Sequence, residues 1–288
     1  MNGLPALSER TVDILGRIAA ERPDEVEKLL LSSAQSSCPV IHRFGPGQYI
    51  REVGVPAGTF AIGHHQNFPH MNVFLRGKVR IFREDGTTDI LTAPMLFVGQ
   101  PGRKVGYVLE DMVWLNIYAT EETDIGKLEE HFLTKSEAAL DFERRLALPT
   151  SVTSSDFALM LAEVGVTAEQ CRVESENTSD QIPFPFGSYK VRVAPSSIEG
   201  QGLFATADIA EGETIAPGRL HGKRTPAGRY TNHSATPNAV VSLSTSGDVY
   251  LVAAKPISGS HGGQLGEEIT LDYRHALQNS RGVELCQQ

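Results

Sequence analysis

A cluster of polar and turn-forming residues stands out in the C-terminal third of the chain. Residues 232–238 read NHSATPN, so two amides, an imidazole and two hydroxyls lie within seven positions. Alone, His233 would be interpreted as a hydrogen-bonded core histidine, and the asparagines as turn caps, because asparagine caps turns readily. In a binding site, the same groups would exchange hydrogen bonds with a ligand. The flanking sequence bears on which interpretation holds.

Two further blocks flank this segment in a fixed order. Upstream, GQGLFA spans residues 200–205, and downstream, GEEITLDY spans residues 266–273. Two glycines separated by one residue are weak evidence for a ligand-binding turn, because a glycine turn between strands explains them. Together with NHSATPN, however, the blocks resemble the SET-domain family of S-adenosylmethionine-dependent lysine methyltransferases. The resemblance covers about residues 187–275.

The resemblance implies that a defined set of residues holds S-adenosylmethionine. These cofactor-binding positions are Gly200, Gln201, Gly202, Leu203, Asn232, His233 and Tyr273. By resemblance, Gly200 and Gly202 allow the backbone to approach the cofactor closely. The segment of Asn232 and His233 would line the amino-acid and adenine portions of the cofactor.

Two tyrosines are the catalytic residues that the resemblance implies. Tyr273 would place its phenol at the methyl-transfer channel, where a lysine amine must lie in line behind the sulfonium methyl group. Tyr230 is a candidate for a second aromatic residue of this channel, or equally an aromatic residue packed beside a strand. A narrow apolar channel would desolvate the lysine ammonium and so lower its pKa.

Two features depart from the family pattern. Only residues 203–231 separate Gly202 from Asn232, where the family usually carries a longer insert that forms one wall of the substrate groove. The groove is therefore open, or another surface completes it. After Tyr273 the chain has Cys286 as its single cysteine, so no structural zinc cluster is expected there.

A second spacing pattern lies in the N-terminal half and resembles the first motif of the cupin family, in which two histidines and a glutamate hold a metal. The matching residues are Gly58, His64, Gln66, His70 and Gly77. Gln66 replaces the second histidine, His70 takes the glutamate position, and Val105 occupies a histidine position of the second motif. Because a first-row metal normally takes three or four protein ligands, we predict no tightly held metal. A metal held by the two histidines is the alternative.

Short strands and helices must position these residues. Residues 39–119 show strand-length runs punctuated by turns such as GPG at 45–47, which favours a β-barrel or sandwich. Residues 5–35 and 121–147 have helical spacing. The predicted fold class is mainly β with flanking helices: a cupin-like β-barrel followed by a small SET-type β-fold, which in that family contains a pseudoknot.

The predicted domain boundaries follow these changes in pattern. An N-terminal helical segment covers residues 1–37, and the cupin-like barrel covers residues 38–125. Residues 126–182 form a helical connector that ends in a linker, because NTSDQIPFPFG is rich in turn-forming residues. Residues 183–288 are the SET domain with its C-terminal tail.

Composition limits the partners of this 288-residue chain. The 26 Lys+Arg and 35 Asp+Glu give a formal net charge of −9, and such a surface repels a phosphate backbone. We therefore expect no nucleic-acid partner. The sequence shows neither a membrane-spanning apolar run nor a signal peptide, which predicts no membrane partner and a cytoplasmic location, that of a host if the protein is viral. The 3 cysteines are expected to be reduced thiols.

The leading functional hypothesis is a protein-lysine N-methyltransferase that uses S-adenosylmethionine and acts on a protein substrate. The arrangement resembles cupin-plus-SET proteins encoded by bacteriophages. The alternative is a non-catalytic binding or virion-associated structural protein that retains both folds, and the missing ligands weaken a third hypothesis, a metal-dependent cupin oxygenase. Since barrels of the cupin type commonly pair, we expect a homo-oligomer that supplies the missing groove wall.

Overall fold

The computed structural model describes residues 8–146, 154–274 and 276, which form two compact units. Unit 1 contains the described residues up to Glu122, together with Lys127–Arg145 and Ser260–Gln264, and unit 2 contains the others. The units are therefore interleaved along the chain, whereas the predicted domains are consecutive segments. Cys38 and Cys171 are free thiols, and Cys286 lies outside the described residues.

Unit 1 begins with two short helices, α1 (Glu9–Glu21) and α2 (Pro23–Leu30). Ser8 caps α1, because its hydroxyl accepts a hydrogen bond from the backbone of Thr11 at 3.2 Å. The prediction of helix within residues 5–35 is confirmed for these two elements, while residues 5–7 lie outside the described part. Along the whole described chain, no helix is both long and apolar enough to cross a membrane.

The rest of unit 1 is mainly a β-sheet. Its strands are β1 (Val40–Gly45), β2 (Gln48–Val55), β3 (Phe60–Ile62), β4 (His65–Gln66), β5 (His70–Phe82), β6 (Thr88–Thr92), β7 (Met95–Gly99), β8 (Val105–Ala119) and β9 (Leu133–Thr134). The main sheet has the order β1-β2-β8-β5-β6, with β3 also on β8 and β7 also on β5. Strands β4 and β9 form a separate two-stranded ribbon.

The prediction of a closed barrel is wrong in one respect, because this sheet stays open. Closure requires the two end strands to pair with each other. Within residues 8–146, no pairing joins β1 to β6 or β7. Strands β5 and β8 are long, with 13 and 15 residues. Along one of its edges, each of them pairs with two short strands that lie one after the other. The prediction of short strands between residues 39 and 119 is confirmed.

The remaining elements of the described chain are five helices and nine strands. The helices are α3 (Ile125–Phe132), α4 (Glu137–Leu146), α5 (Ser154–Val164), α6 (Ala168–Glu176) and α7 (Pro226–Tyr230). The strands are β10 (Gly187–Tyr189), β11 (Val191–Pro195), β12 (Gln201–Ala205), β13 (Thr214–Leu220), β14 (Lys223–Arg224), β15 (Asn232–His233), β16 (Ala239–Leu243), β17 (Val249–Ala253) and β18 (Glu268–Leu271). Most of α3 and of α4 belongs to unit 1, and unit 2 is built mainly from short strands.

Two four-stranded sheets organise unit 2, in the orders β11-β12-β18-β15 and β14-β13-β17-β16. Strand β18 lies between two partners: it pairs antiparallel with β12 and parallel with β15. The parallel pair sets Asn232 opposite Thr270 and His233 opposite Leu271. This sheet therefore joins the three sequence blocks at residues 200–205, 232–238 and 266–273.

The contact between α7 and β13 requires a glycine on the helix. A Cβ at Gly228 would overlap the carbonyl oxygen of Gly218. We expect Gly228→Ala to lower the free energy of unfolding by roughly 2–3 kcal/mol, because the backbone of β13 cannot move as a flexible side chain can.

A matched control lies on the other side of the same contact. A Cβ at Gly218 would meet its nearest atoms at 3.6 Å, an ordinary van der Waals distance, so Gly218→Ala should be tolerated. Urea unfolding followed by circular dichroism compares the two variants, and equal stability would contradict the close approach of Gly228 to β13.

Candidate functional site

The side-chain amide of Asn232 connects β15 to the turn that contains Gly200. Its Nδ2 donates to the carbonyl oxygens of Glu199 at 3.1 Å and Gln201 at 3.2 Å. The same Nδ2 lies 2.7 Å from Glu268 Oε1 and 3.1 Å from the hydroxyl of Ser196. Because an amide nitrogen carries two hydrogens, four acceptors share them. A concentration of hydrogen-bond acceptors therefore surrounds Asn232.

The carboxylate of Glu268 forms the base of this acceptor cluster. Its two oxygens accept from the hydroxyl of Ser196 at 2.7 and 2.8 Å. Burial raises the pKa of Glu268, while hydrogen bonds from Asn232 and Ser196 act in the opposite direction. Gly202 is required here, because a Cβ at that position would overlap the Glu268 carboxylate. Gly200 has a φ of +47°, in the left-handed region that favours glycine.

His233 faces a different set of groups. Its Nε2 lies 2.8 Å from Asp156 Oδ2, and its Nδ1 accepts from the backbone N–H of Tyr273 at 3.2 Å. Since Nδ1 accepts, Nε2 carries the proton that is donated to Asp156. Arg274 also binds Asp156, at 3.2 Å, and this contact together with His233 lowers the pKa of the aspartate. His233 thus holds the backbone at Tyr273 against α5.

The hydroxyl of Tyr273 donates to the backbone carbonyl of Thr231 at 2.8 Å. Burial raises the pKa of Tyr273 to about 12, so the phenol is protonated at neutral pH. The Tyr273 and His233 rings lie 5.3 Å apart between centroids. Tyr273 therefore sits where β15 meets the end of β18.

Two other predicted site residues, Tyr230 and Leu203, take no part in the hydrogen bonds described above. Tyr230 is half-buried, and the guanidinium of Arg229 lies 5.1 Å from its ring centroid, a cation–π distance. The side chain of Leu203 is fully buried in β12, so only its backbone could reach a ligand. The structure brings Asn232 together with the glycine turn, and Tyr273 together with His233.

Sequence reasoning missed three residues of this site: Ser196, Glu268 and Asp156. Glu268 belongs to the GEEITLDY block, so its position in the motif was an available signal. Asp156 lies 77 residues before His233, in a helix whose own pattern contains no sign of the contact. Pairs this distant become visible only when the chain is folded.

Unit 1 holds a separate buried polar network around His70. The Nδ1 of His70 donates to the carbonyl of Phe68 at 2.9 Å, and its Nε2 accepts from Asn116 Nδ2 at 3.1 Å. Asn116 and Trp114 both donate to Asn72 Oδ1, each at 2.8 Å. Burial lowers the pKa of His70, which agrees with a neutral ring in this network.

These residues do not fit a tightly held metal. Both nitrogens of His70 are engaged by protein groups, and the side-chain oxygen of Gln66 accepts from the Tyr118 hydroxyl at 2.6 Å. In the part of the chain that the structure describes, no group of three or more His, Cys, Asp or Glu could hold a metal ion.

We therefore expect protein purified without chelators to contain far less than one metal ion per chain. Elemental analysis by mass spectrometry measures this directly, with the His70→Ala variant as a comparison. One equivalent of iron, manganese or zinc in the parent, lost in His70→Ala, would contradict the expectation and locate the metal.

No protein-family model matches the chain, and no curated protein matches it in sequence. Solved structures resemble part of it. A cupin-2 domain containing protein from Shewanella frigidimarina is 16% identical over 33% of this chain and 91% of its own, with a TM-score of 0.24. A cupin protein from Bacteroides fragilis is 20% identical over 26% and 67%, with a TM-score of 0.22.

An ethanolamine utilization protein from Salmonella typhimurium is 14% identical over 25% of this chain, with a TM-score of 0.22. The match spans 58% of the length of that protein. Each of these likenesses covers a third of the chain or less. The description of unit 1 as a β-sheet domain rests on its own strand pairing.

Proposed function

We propose that the chain is an S-adenosylmethionine-dependent protein-lysine N-methyltransferase, with a cupin-like unit 1 and a SET-type unit 2. One observation supports the proposal most: Asn232 donates both to the carbonyl of Gln201 and to the carboxylate of Glu268. These residues come from three distant sequence blocks. The position of β18 between β12 and β15 supports the pseudoknot that the resemblance implies.

The acceptor cluster suits one end of the proposed cofactor. The carbonyls of Glu199 and Gln201 and the carboxylate of Glu268 would accept hydrogen bonds from its ammonium group, as they do from Asn232. Gly200, beside whose missing Cβ no other atom lies, would leave the backbone open to it, while Gly202 makes room for the Glu268 carboxylate. When bound, S-adenosylmethionine supplies a methyl group already activated by the sulfonium, so the protein's task is mainly to position the lysine.

Tyr273 is the residue best suited to orient that lysine. Its hydroxyl proton is directed at the Thr231 carbonyl, so the lone pairs of the phenol oxygen remain able to accept from an amine N–H. A neutral lysine amine held in this way would direct its own lone pair away from the phenol. His233 would act indirectly, by fixing the backbone of Tyr273 through its Nδ1.

Transfer of a labelled methyl group tests the proposal. The purified protein is incubated with methyl-labelled S-adenosylmethionine and a lysate from its own source, and labelled proteins are separated on a denaturing gel. We expect at least one labelled protein band that does not appear when the purified protein is left out. Absence of label, with or without cofactor binding, would contradict the proposal.

A second candidate is a non-catalytic binding or virion-associated structural protein, and one observation favours it. The polar groups of His233 and the hydroxyl proton of Tyr273 are already satisfied inside unit 2, as in a structural motif. This candidate predicts cofactor binding without transfer, or no binding. Calorimetric titration with S-adenosylmethionine, run beside the labelling experiment, separates these outcomes.

The partners of the proposed enzyme are a protein that carries the target lysine and a second copy of the chain. The short segment between Gly202 and Asn232 motivates the second, because a second copy would supply the groove wall that this segment lacks. Analytical ultracentrifugation measures the mass in solution. We expect the mass of at least two copies of the 31.3 kDa chain. A monomer at working concentration with full activity would contradict this part of the proposal.

A further inference from the structure

A buried polar row crosses the main sheet of unit 1. Arg51 in β2 lies directly opposite His42 in β1 and Asn116 in β8, and Asn116 lies opposite Asn72 in β5. Directly paired residues project from the same face, with Cβ atoms about 4.5–5.5 Å apart. His42, Asn72 and Asn116 are buried. Arg51 therefore projects from the same face as three buried polar residues.

Arg51 has no partner for its charge among the residues that the structure describes. Its guanidinium makes neither a hydrogen bond nor an ion pair with any of them, and its Nε is buried. Nearby acceptors are in use: Asn72 Oδ1 accepts from Trp114 and Asn116. Arg51 as a whole is half-buried, but a buried donor such as its Nε is seldom left without a partner, because its desolvation is then uncompensated.

His64 contributes a second unsatisfied group to the same region. Its Nδ1 is buried and has no hydrogen-bond partner in the described chain. His64 comes two residues before Gln66, whose Oε1 accepts from Tyr118, and Tyr118 lies directly opposite Tyr49. Tyr49 in turn precedes Arg51 by two residues, on the same face of β2. Gln66, Tyr118 and Tyr49 therefore connect the segment of His64 to the segment of Arg51.

The surrounding charges leave this region positive. Burial, and then the charges of Arg51 and Lys135, lower the pKa of His64 to about 3, so its ring is neutral. Glu129 also faces His64, but it pairs with Lys135 at 3.5 Å, and Lys135 contacts Glu143 at 3.0 Å. Arg103, the remaining charge near His64, pairs with Glu27 at 2.9 Å. The carboxylates in the region therefore already have cationic partners.

We propose that this face of unit 1 binds a small organic carboxylate, whose charge pairs with the guanidinium of Arg51 and whose second oxygen accepts from the Nδ1–H tautomer of His64. The planar fork of an arginine matches the two oxygens of a carboxylate. A single unpaired guanidinium suits one negative charge better than the two of a phosphate dianion. The site is independent of the methyltransferase proposal, because none of its residues belongs to unit 2.

Calorimetric titration with acetate, pyruvate and succinate tests the proposal, with inorganic phosphate and sodium chloride at matched ionic strength as comparisons. We expect the parent to bind at least one carboxylate, and Arg51→Met to weaken that binding roughly ten- to hundredfold, the usual effect of losing a charged hydrogen bond. Arg76→Gln is the matched control, since Arg76 is an exposed arginine of the same sheet. Its affinity should equal that of the parent.

Thermal unfolding without added anion distinguishes a ligand-binding arginine from a structural one. A half-buried guanidinium without an ion pair contributes little stability, so Arg51→Met should melt at the same temperature as the parent or higher. Arg51→Lys keeps the charge but not the fork, and should bind the carboxylate with intermediate affinity even if the methionine variant does not fold. The proposal would be overturned if no carboxylate binds, if only phosphate binds, or if both Arg51 variants keep the parent's affinity.

Discussion

Tyr273→Phe should transfer methyl groups roughly 10²–10³ times more slowly than the parent while binding S-adenosylmethionine within a few-fold of it. The phenol oxygen would orient the lysine amine, and a positioned group that acts mainly in the transition state has an effect of this size. The cofactor would be held elsewhere, by the Gly200–Gly202 turn and Asn232. Single-turnover transfer and calorimetric affinity, measured on the same preparation, separate chemistry from binding.

The same substitution also has a structural effect that must be measured separately. Removing the hydroxyl leaves the buried carbonyl of Thr231 without its donor, which should lower the free energy of unfolding by about 1–3 kcal/mol. Transfer rates are therefore normalised to folded protein. Tyr250→Phe, in β17, is the matched control and should leave transfer unchanged. Equal transfer by Tyr273→Phe and the parent would remove Tyr273 from the catalytic residues.

Asn232→Ala should produce the second large effect, on cofactor affinity itself. The amide of Asn232 holds the carbonyls of the glycine turn and the carboxylate of Glu268 in one cluster. Without it, the carboxylate loses one of its donors, and the turn loses its connection to β15. We expect S-adenosylmethionine to bind roughly ten- to hundredfold more weakly, as measured by calorimetry.

Asn238→Ala provides the control for this prediction. Asn238 also joins β18, but through the backbone: its Oδ1 accepts from Thr270 N at 2.9 Å, and its Nδ2 donates to the Glu268 carbonyl at 2.8 Å. Its loss should destabilise unit 2 without changing the affinity of the folded molecules. Equal loss of affinity in both variants would show that Asn232 acts through the fold alone.

The sequence predicted the elements of this protein better than their connections. Alternating polar and apolar residues identified the strands between residues 39 and 119, because each strand carries its own pattern. Barrel closure depends on which strand edges meet, and alternation within a strand carries no information about that. The interleaving of the units at 260–264 was equally invisible, since the predicted boundaries followed changes in local composition.

The same distinction applies to the candidate site. The glycine turn and the NHSATPN block could be identified because each is a local pattern with a fixed spacing. The contact of Asp156 with His233 bridges 77 residues and has no such spacing. Arg51 illustrates a further limit. The alternating pattern around it predicts a strand, but that its buried Nε has no hydrogen-bond partner can be recognised only from the surrounding side chains.

Lysine methylation by the intact protein is the most direct test of the proposed activity. The protein is incubated with methyl-labelled S-adenosylmethionine and a lysate from its own source, the proteins are hydrolysed in acid, and the amino acids are analysed by mass spectrometry. We expect labelled N-methyl-lysine with the parent protein and a decrease of roughly 10²–10³ in its initial rate with Tyr273→Phe. Cofactor binding by the parent without any labelled methyl-lysine would contradict the methyltransferase proposal and favour the non-catalytic candidate.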